Sequence, residues 1–273
     1  MAVITVSRQM GSLGTEIAQT LADRLQYDYV DKEKIGKALM NFGLPEPDLE
    51  RFDEKKPPFW DAWQVQRKKY LHFLEAVIYD FARRGKVVIV GRGGQVLLKD
   101  LPGVLHLRVI APLEVRTRRI LNEKKGDEKD VVRLMRRNDR DSEGFIRSFF
   151  DTNWDDPGLY DLVINTQKIS PETAVELVLR SLQSPEILEG EKKADEKLAE
   201  MALMQKVEAT LIGVLGVDVR HINTQVEKGV LTLRGSVPSA KDKENCEKAV
   251  GAIEGVKKVD SQILVAEYYR FGS

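Results

Sequence analysis

Ile4-Thr5-Val6-Ser7-Arg8-Gln9-Met10-Gly11-Ser12-Leu13-Gly14-Thr15-Glu16-Ile17-Ala18 joins an apolar, β-branched run to a helical pattern through a turn with two glycines. Ile17, Leu21 and Leu25 recur at i, i+4 and i+8 with Ala18 and Ala22 beside them, so the second half predicts a helix with one apolar face. A strand, a glycine-rich turn and a helix place backbone N–H groups and the positive end of the helix dipole at one edge of a sheet, which is a phosphate site on physical grounds. Gly11 and Gly14 allow close backbone approach and positive φ. Thr15 falls in the first helical turn, where its hydroxyl can ligate Mg²⁺. A plain strand–helix turn is the alternative.

Further along, strands and helices alternate. Tyr27 to Val30 is extended and closed by Asp31-Lys32, and a helix carrying Tyr70, Phe73, Leu74, Val77, Ile78 and Phe81 stops at Gly85. Lys86-Val87-Val88-Ile89-Val90 is a continuous run of the kind found in central parallel strands, and Gly91-Arg92-Gly93-Gly94 follows at its carboxyl end. Val104 to Ile110 predicts another strand, and Leu113 to Leu121 a helix. A charged helix over about 128–149 holds Arg133, Arg136, Arg137, Arg140 and Arg147, and Asp161 to Asn165 is the last strand of this part. Ser170-Pro171 reads as an N-cap with proline at the first helical position. Residues 43–63, rich in proline, acids and aromatics, read as a mobile excursion. This alternation predicts an α/β unit over 1–183, a doubly wound parallel sheet with helices on both faces.

Residues 184–199 are charged and carry no strand signal, so we read them as a linker running into the next helix. Beyond it the rhythm changes. A helix carries Leu203, Val207, Leu211 and Val214, and Ile222, Thr224 and Val226 alternate. Lys228-Gly229 makes a tight turn into a strand from Val230 to Arg234, ended by Gly235. Ser239 caps a helix with Cys246, Ala249, Val250 and Ile253 inward, and a last strand alternates Val259, Ser261, Ile263 and Val265. The order αββαβ over 200–268 predicts a second, small α+β domain.

Composition narrows the function classes. With 273 residues, 43 basic and 43 acidic, the chain has room for two domains and a formal net charge of zero. That excludes nucleic-acid binding driven by bulk positive charge, and no nucleic-acid partner is expected. A single cysteine, Cys246, excludes an intramolecular disulfide, and His72, His106 and His221 match no metal-ligand spacing. No apolar run approaches the roughly 18–20 residues of a membrane span. The first residues lack a basic region and a long apolar stretch, so a cytoplasmic location is expected.

The opening stretch, together with Tyr29-Val30-Asp31-Lys32, Val88-Ile89-Val90-Gly91-Arg92-Gly93-Gly94, Asn138-Asp139-Arg140 and Tyr160-Asp161-Leu162-Val163-Ile164-Asn165-Thr166, resembles the cytidylate kinase-like family of P-loop phosphotransferases over about residues 1–183. The resemblance implies a P-loop kinase-type sheet and an ATP- and Mg²⁺-dependent transfer to a nucleotide, CMP-like, or to a related small acceptor. It implies that Ser7, Arg8, Gly11, Ser12, Leu13, Gly14 and Thr15 cradle the donor phosphates, with Thr15 on the metal. Asp31 and Arg92 would line the acceptor pocket, although Asp31 could equally N-cap the next helix. Arg136, Arg137 and Arg140 would sit on a lid over the transferring group, where several cations stabilise the charge; a solvated helix face is the alternative.

One departure matters. A standard P-loop reads G-x-x-x-x-G-K-[ST]. Aligning Thr15 with its last position puts Gly14 where the lysine belongs, and Leu13 where the glycine before it belongs. We expect Arg8, on the other arm of the loop, to supply the missing cation. Without a substitute the domain would bind nucleotide as a sensor rather than turn it over.

The tail, about 203–267, resembles a BON domain through Val226-Glu227-Lys228-Gly229-Val230-Leu231-Thr232-Leu233-Arg234-Gly235 and Ile253-Glu254-Gly255-Val256. The resemblance implies a binding module for a phospholipid or protein partner. A membrane or envelope adaptor led by this module is the third functional alternative.

Overall fold

β1, Val3–Arg8, is an apolar strand buried on both faces, and it occupies the middle of a five-stranded sheet in the computed structural model of the chain. The structure describes residues 2–41, 44, 46, 60–123, 126–215 and 222–266; most of the 43–63 excursion, and His221, lie outside them. The chain divides into two units, Met1–Ala194 and Asp195–Ser273.

In the first unit the strands β2 (Asp28–Val30), β3 (Val87–Val90), β4 (Val104–Ile110) and β5 (Leu162–Asn165) join β1 in the order β2-β3-β1-β4-β5. Every pairing is parallel. The helices are α1 (Gly14–Leu25), α2 (Lys32–Asn41), α3 (Trp60–Arg84), the short α4 (Gly94–Leu97), α5 (Leu113–Glu123), α6 (Glu128–Phe150) and α7 (Pro171–Ser181). Ile4, Val6, Val88, Val90, Leu105, Leu107 and Val109 pack on Ile17, Ala18 and Leu21 of α1 and on Ala174, Val175 and Val178 of α7. α3 and α4 pack on β3 and β1 from the other side. Ser170 caps α7 through the Thr173 N–H with Pro171 in the first turn, as the sequence predicts.

β1 feeds β2 on one side, and β3 crosses over to β4 on the other. The order therefore reverses beside β1, and ligands bind outside the carboxyl ends of strands at such a switch point. Arg8 ends β1, and Gly91-Arg92-Gly93 follows β3.

α8, Pro185–Leu215, begins in the first unit and continues into the second. The stretch expected as a linker is thus helical, and the division between units falls within it. Glutamate, lysine, alanine and leucine dominate it, and these are strong helix formers. In the first unit its Gly190 backbone lies directly on the backbone of Gly103, and a Cβ at either position would collide with the other chain segment.

The second unit holds β6 (Ile222–Glu227), β7 (Val230–Val237), α9 (Ala240–Gly251) and β8 (Lys258–Val265), with β6 antiparallel and β8 parallel to β7. Lys228 and Gly229 both have positive φ, 50° and 83°, the pair a two-residue type I′ turn requires. β7 does not end at Gly235, because that residue keeps its pairing with Ile222 and Ile263 and the strand runs on to Val237. Cys246 is buried among Leu231, Leu233 and Val250, and burial raises its thiol pKa, so it is a core residue rather than a nucleophile. Among the described residues no helix is long and apolar enough to cross a membrane.

The sheet of the first unit buries a histidine. His106 on β4 lies directly opposite Thr5 on β1, with 2.7 Å between His106 Nδ1 and Thr5 Oγ1. Burial lowers the imidazole pKa, against the opposing pull of the nearby Asp161 carboxylate. A group whose folded pKa lies below its unfolded value binds its proton first in the unfolded chain. Stability therefore falls as pH drops below the unfolded value of about 6.5. We expect the melting temperature to fall between about pH 7.5 and about pH 5.5, and His106→Gln to flatten that part of the profile. Parallel profiles for the two proteins would contradict this assignment.

Candidate functional site

The turn from β1 to α1 is built to expose N–H groups. Gly11 (φ 78°) and Leu13 (φ 64°) are both left-handed, and Leu13 precedes α1 with no side chain capping the helix. A non-glycine residue in that region carries backbone strain, which is held by the surroundings. Three successive carbonyls are gripped from outside the loop. Arg116 Nη1 donates to Met10 O (3.0 Å), Arg119 Nη1 to Gly11 O (3.4 Å) and Thr166 Oγ1 to Ser12 O (2.9 Å). In a planar trans peptide the carbonyl and the following N–H point in opposite directions. Holding the carbonyls outward turns the N–H groups of Gly11 and Leu13 toward the concave side of the loop. With the uncapped first turn of α1, this forms a cradle for an anion.

Arg8 occupies the space beside Gly14. A Cβ built on Gly14 would lie 2.5 Å from Arg8 Cβ, 3.1 Å from Arg8 Cγ and 3.1 Å from Val109 Cβ. The stem of Arg8 thus fills the space through which a side chain at position 14 would leave the backbone. Its guanidinium reaches Gly91, with Nη1 3.4 Å from a Cβ placed there. Burial lowers the Arg8 pKa; Arg92 lowers it further, and Tyr29 and Asp31 oppose this. Arg8 therefore spans the phosphate loop and the turn after β3.

That turn is unusual. Gly91 (φ 78°), Arg92 (φ 53°) and Gly93 (φ 73°) are left-handed in succession, and the Phe150 ring fills the space beside Gly93 where a side chain would stand. Arg92 stacks over the Phe145 ring of α6, 5.5 Å from its centroid. Arg8, Lys32, Arg92, Gln95, Asn138, Asp141, Phe145 and Trp154 line a cavity of about 260 Å³ at this point.

The other expected residues are placed as follows. Thr15 is half-buried in the first turn of α1, and its hydroxyl has no hydrogen bond among the described residues. Asp31 accepts from the Lys34 N–H (2.9 Å) at the start of α2 and faces Arg8 electrostatically, so it acts as a helix cap beside the site. Ser7 is buried at the wall of the cavity. Its Oγ accepts from Trp154 Nε1 (2.8 Å) and Arg108 Nη1 (3.2 Å) and lies 3.4 Å from the Tyr160 hydroxyl. Its hydroxyl is thus engaged within the protein, while the residue lines the cavity beside Arg8. Ser12 is buried too, and both its hydroxyl (2.8 Å) and its N–H (3.2 Å) donate back to Gln9 O.

Arg136, Arg137 and Arg140 are exposed and are not brought to Arg8 and Arg92. At 100° per residue, Asn138, Asp141, Ser142 and Phe145 of α6 form the stripe that lines the cavity. Arg136 and Arg140 fall on the opposite face, along a shallow groove with Lys129 and Arg133. The residue of α6 that does meet the phosphate loop is Asp139. It accepts from the Met10 N–H (3.2 Å) and pairs with the buried Arg116 (2.7 Å), which in turn holds Met10 O.

Arg116, Arg119 and Arg108 were not singled out by the sequence. Arg108 was the most legible of them: an arginine inside the apolar run Val104–Ile110 requires partners, and it has Ser7, Asp155 and the faces of Trp154 and Tyr160.

A parallel sheet whose central strand opens into an anion cradle, with paired arginines across the switch point, defines a phosphate-binding α/β protein of the P-loop type. Residues 3–168 match the cytidylate kinase-like family and residues 200–267 the BON domain, and the chain belongs to that kinase-like family and carries a BON domain. It is 27% identical to a cytidylate kinase of Haloarcula marismortui over 191 residues, covering 67% of this chain and 90% of the relative. It is 26% identical to a cytidylate kinase of Methanosarcina barkeri, covering 67% of this chain and 99% of that one. A crystal structure of an uncharacterised protein from Eubacterium ventriosum shares the fold, with a TM-score of 0.55 at 19% identity over 67% of this chain and 99% of the other.

The Asp139 contacts carry a testable consequence. Asp139→Asn removes the charge facing buried Arg116, and we expect it to lower unfolding free energy by about 1.5–3 kcal/mol in urea titration. Glu143→Gln, which breaks an exposed pair with Arg147 on the same helix, is expected to change it by less than about 0.5 kcal/mol. Equal effects of the two would contradict a docking role for Asp139.

Proposed function

We propose that residues 1–183 form an ATP- and Mg²⁺-dependent phosphotransferase acting on a nucleoside monophosphate, CMP-like, or a related small anionic acceptor. The observation that carries this is the exchange between Arg8 and Gly14. The position that lacks the lysine has no room for a side chain, because an arginine from the other arm of the loop fills it. A guanidinium takes phosphate oxygens in a bidentate way and stays charged at any relevant pH.

In this reading the loop N–H groups of Gly11 to Thr15 hold the donor phosphates, and Arg8 and Arg92 lie on either side of the transferred group. An acceptor oxygen attacks the γ-phosphorus, the bond to the β-bridging oxygen breaks, and ADP leaves with that electron pair. An acceptor that is already a phosphate anion brings no proton to remove, so positioning and cationic stabilisation suffice. The described residues include no group of three or more His, Cys, Asp or Glu able to hold a metal. Mg²⁺ binds through substrate phosphates and few protein ligands, so it would arrive with the nucleotide. Thr15, with its unpaired hydroxyl, is the residue that fits it. Mg²⁺ held there would supply charge neutralisation to the donor phosphates. The BON domain, about 200–268, serves to dock the kinase on a phospholipid surface or a protein partner, and the site of action is the cytoplasm.

ATP with Mg²⁺ is expected to raise the melting temperature by mass action. Arg8→Ala should weaken ATP binding or transfer about ten- to hundredfold, and Arg8→Lys should recover part of it. Parent-like binding and turnover in Arg8→Ala would overturn the reading. ATP binding without transfer to any nucleoside monophosphate would favour a nucleotide sensor instead.

A further inference from the structure

Gln95 stands out among the buried polar side chains. It is 2% exposed, it lines the cavity with Arg8 and Arg92, and its carboxamide makes no hydrogen bond among the described residues. Several other buried polar groups near the cavity and the loop are engaged within the protein. Ser7 is held by Trp154 and Arg108, His106 faces Thr5, and Arg116 and Thr166 hold the phosphate loop. Its carboxamide atoms are not sealed inside the protein, so without a protein partner they face the open space of the cavity, where a ligand can satisfy them. An unpartnered group of this kind, facing a cavity, points to something that enters the cavity.

The position explains how it comes to be there. Gln95 sits in the first turn of α4, directly after the left-handed run Gly91–Gly93 that turns the chain back beneath Arg92. Gly94 packs against Thr5 and Ile89, which seats α4 on the sheet and sends the next side chain to the cavity. The arginines serve an anion. A carboxamide offers a neutral donor and a neutral acceptor side by side, which matches an uncharged hydrogen-bonding group of the same ligand.

We propose that Gln95 is the specificity-determining residue of the acceptor site, its carboxamide pairing with an uncharged polar group of the nucleoside monophosphate while Arg92 holds its phosphate. The proposal rests on the phosphotransferase reading above. Its test therefore reads acceptor binding directly, apart from the ATP response.

Calorimetric titration with CMP, UMP, AMP and GMP, each alone, sets the parent preference. Gln95→Met keeps the length of the side chain and removes both polar atoms, and Gln95→Glu keeps the shape and removes the donor. We expect both to weaken the preferred monophosphate about ten- to hundredfold and to narrow the differences among the four. Stabilisation by ATP and Mg²⁺ should stay at the parent value, which also shows that the variants are folded. Parent-like binding and ranking in Gln95→Met would overturn the proposal and assign the carboxamide to ordered water. Equal loss of ATP and monophosphate binding would overturn it in favour of a purely structural role. If none of the four binds the parent protein while ATP does, the proposal fails and the donor-site reading survives.

Discussion

The site depends on an exclusion: two side chains cannot occupy the space between the end of β1 and the start of α1. Arg8 takes it, with its Cβ 2.5 Å from where a Gly14 Cβ would stand. Glycine at position 14 is therefore a steric requirement, and the arginine that fills the space leaves from the strand instead of the helix. Because Arg8 starts on the strand, its guanidinium is carried to Gly91, at the turn that bears Arg92. One side chain thereby ties the phosphate loop to the far wall of the cavity.

Everything around Arg8 supports that geometry. The loop is gripped at three carbonyls by groups from α5 and from the turn after β5, and its Met10 N–H is held by α6 through Asp139. These contacts hold Leu13 in a left-handed conformation that a leucine does not adopt by preference. Beneath the loop, Ser7 is anchored by Trp154 and by Arg108, whose guanidinium lies 4.0 Å from the indole centroid. A fixed loop holds its N–H groups in place before an anion arrives, which is how electrostatic sites gain strength.

Much of the architecture was legible from local signals. The β-branched runs gave parallel strands, and Ser170-Pro171 and Lys228-Gly229 marked a cap and a turn through their intrinsic backbone preferences. Where the sequence misled, the reason was long-range. Gly235 resembles a strand end but stays in register because both neighbouring strands pair with it. The 184–199 stretch lacked strand signals and was taken for a linker, although its composition favours helix. Arginines 136, 137 and 140 are conspicuous in sequence, yet helical geometry turns 136 and 140 away from the cavity and leaves 137 exposed. Asp139, one residue along, makes the contact. Gln95 carries no local signal, because a glutamine reads as surface until its burial is known.

The claim that Arg8 and Gly14 share one space and one role is tested most directly by exchanging them. Titration with ATP and Mg²⁺ would compare the parent with Arg8→Gly, Gly14→Lys and the double variant. Gly14→Lys alone should bind poorly, because its stem meets that of Arg8, and Arg8→Gly alone should lose about ten- to hundredfold in affinity. The double variant should regain most of what Arg8→Gly loses, since the lysine enters the vacated space. A double variant no better than Arg8→Gly, or a Gly14→Lys protein that binds like the parent, would contradict it.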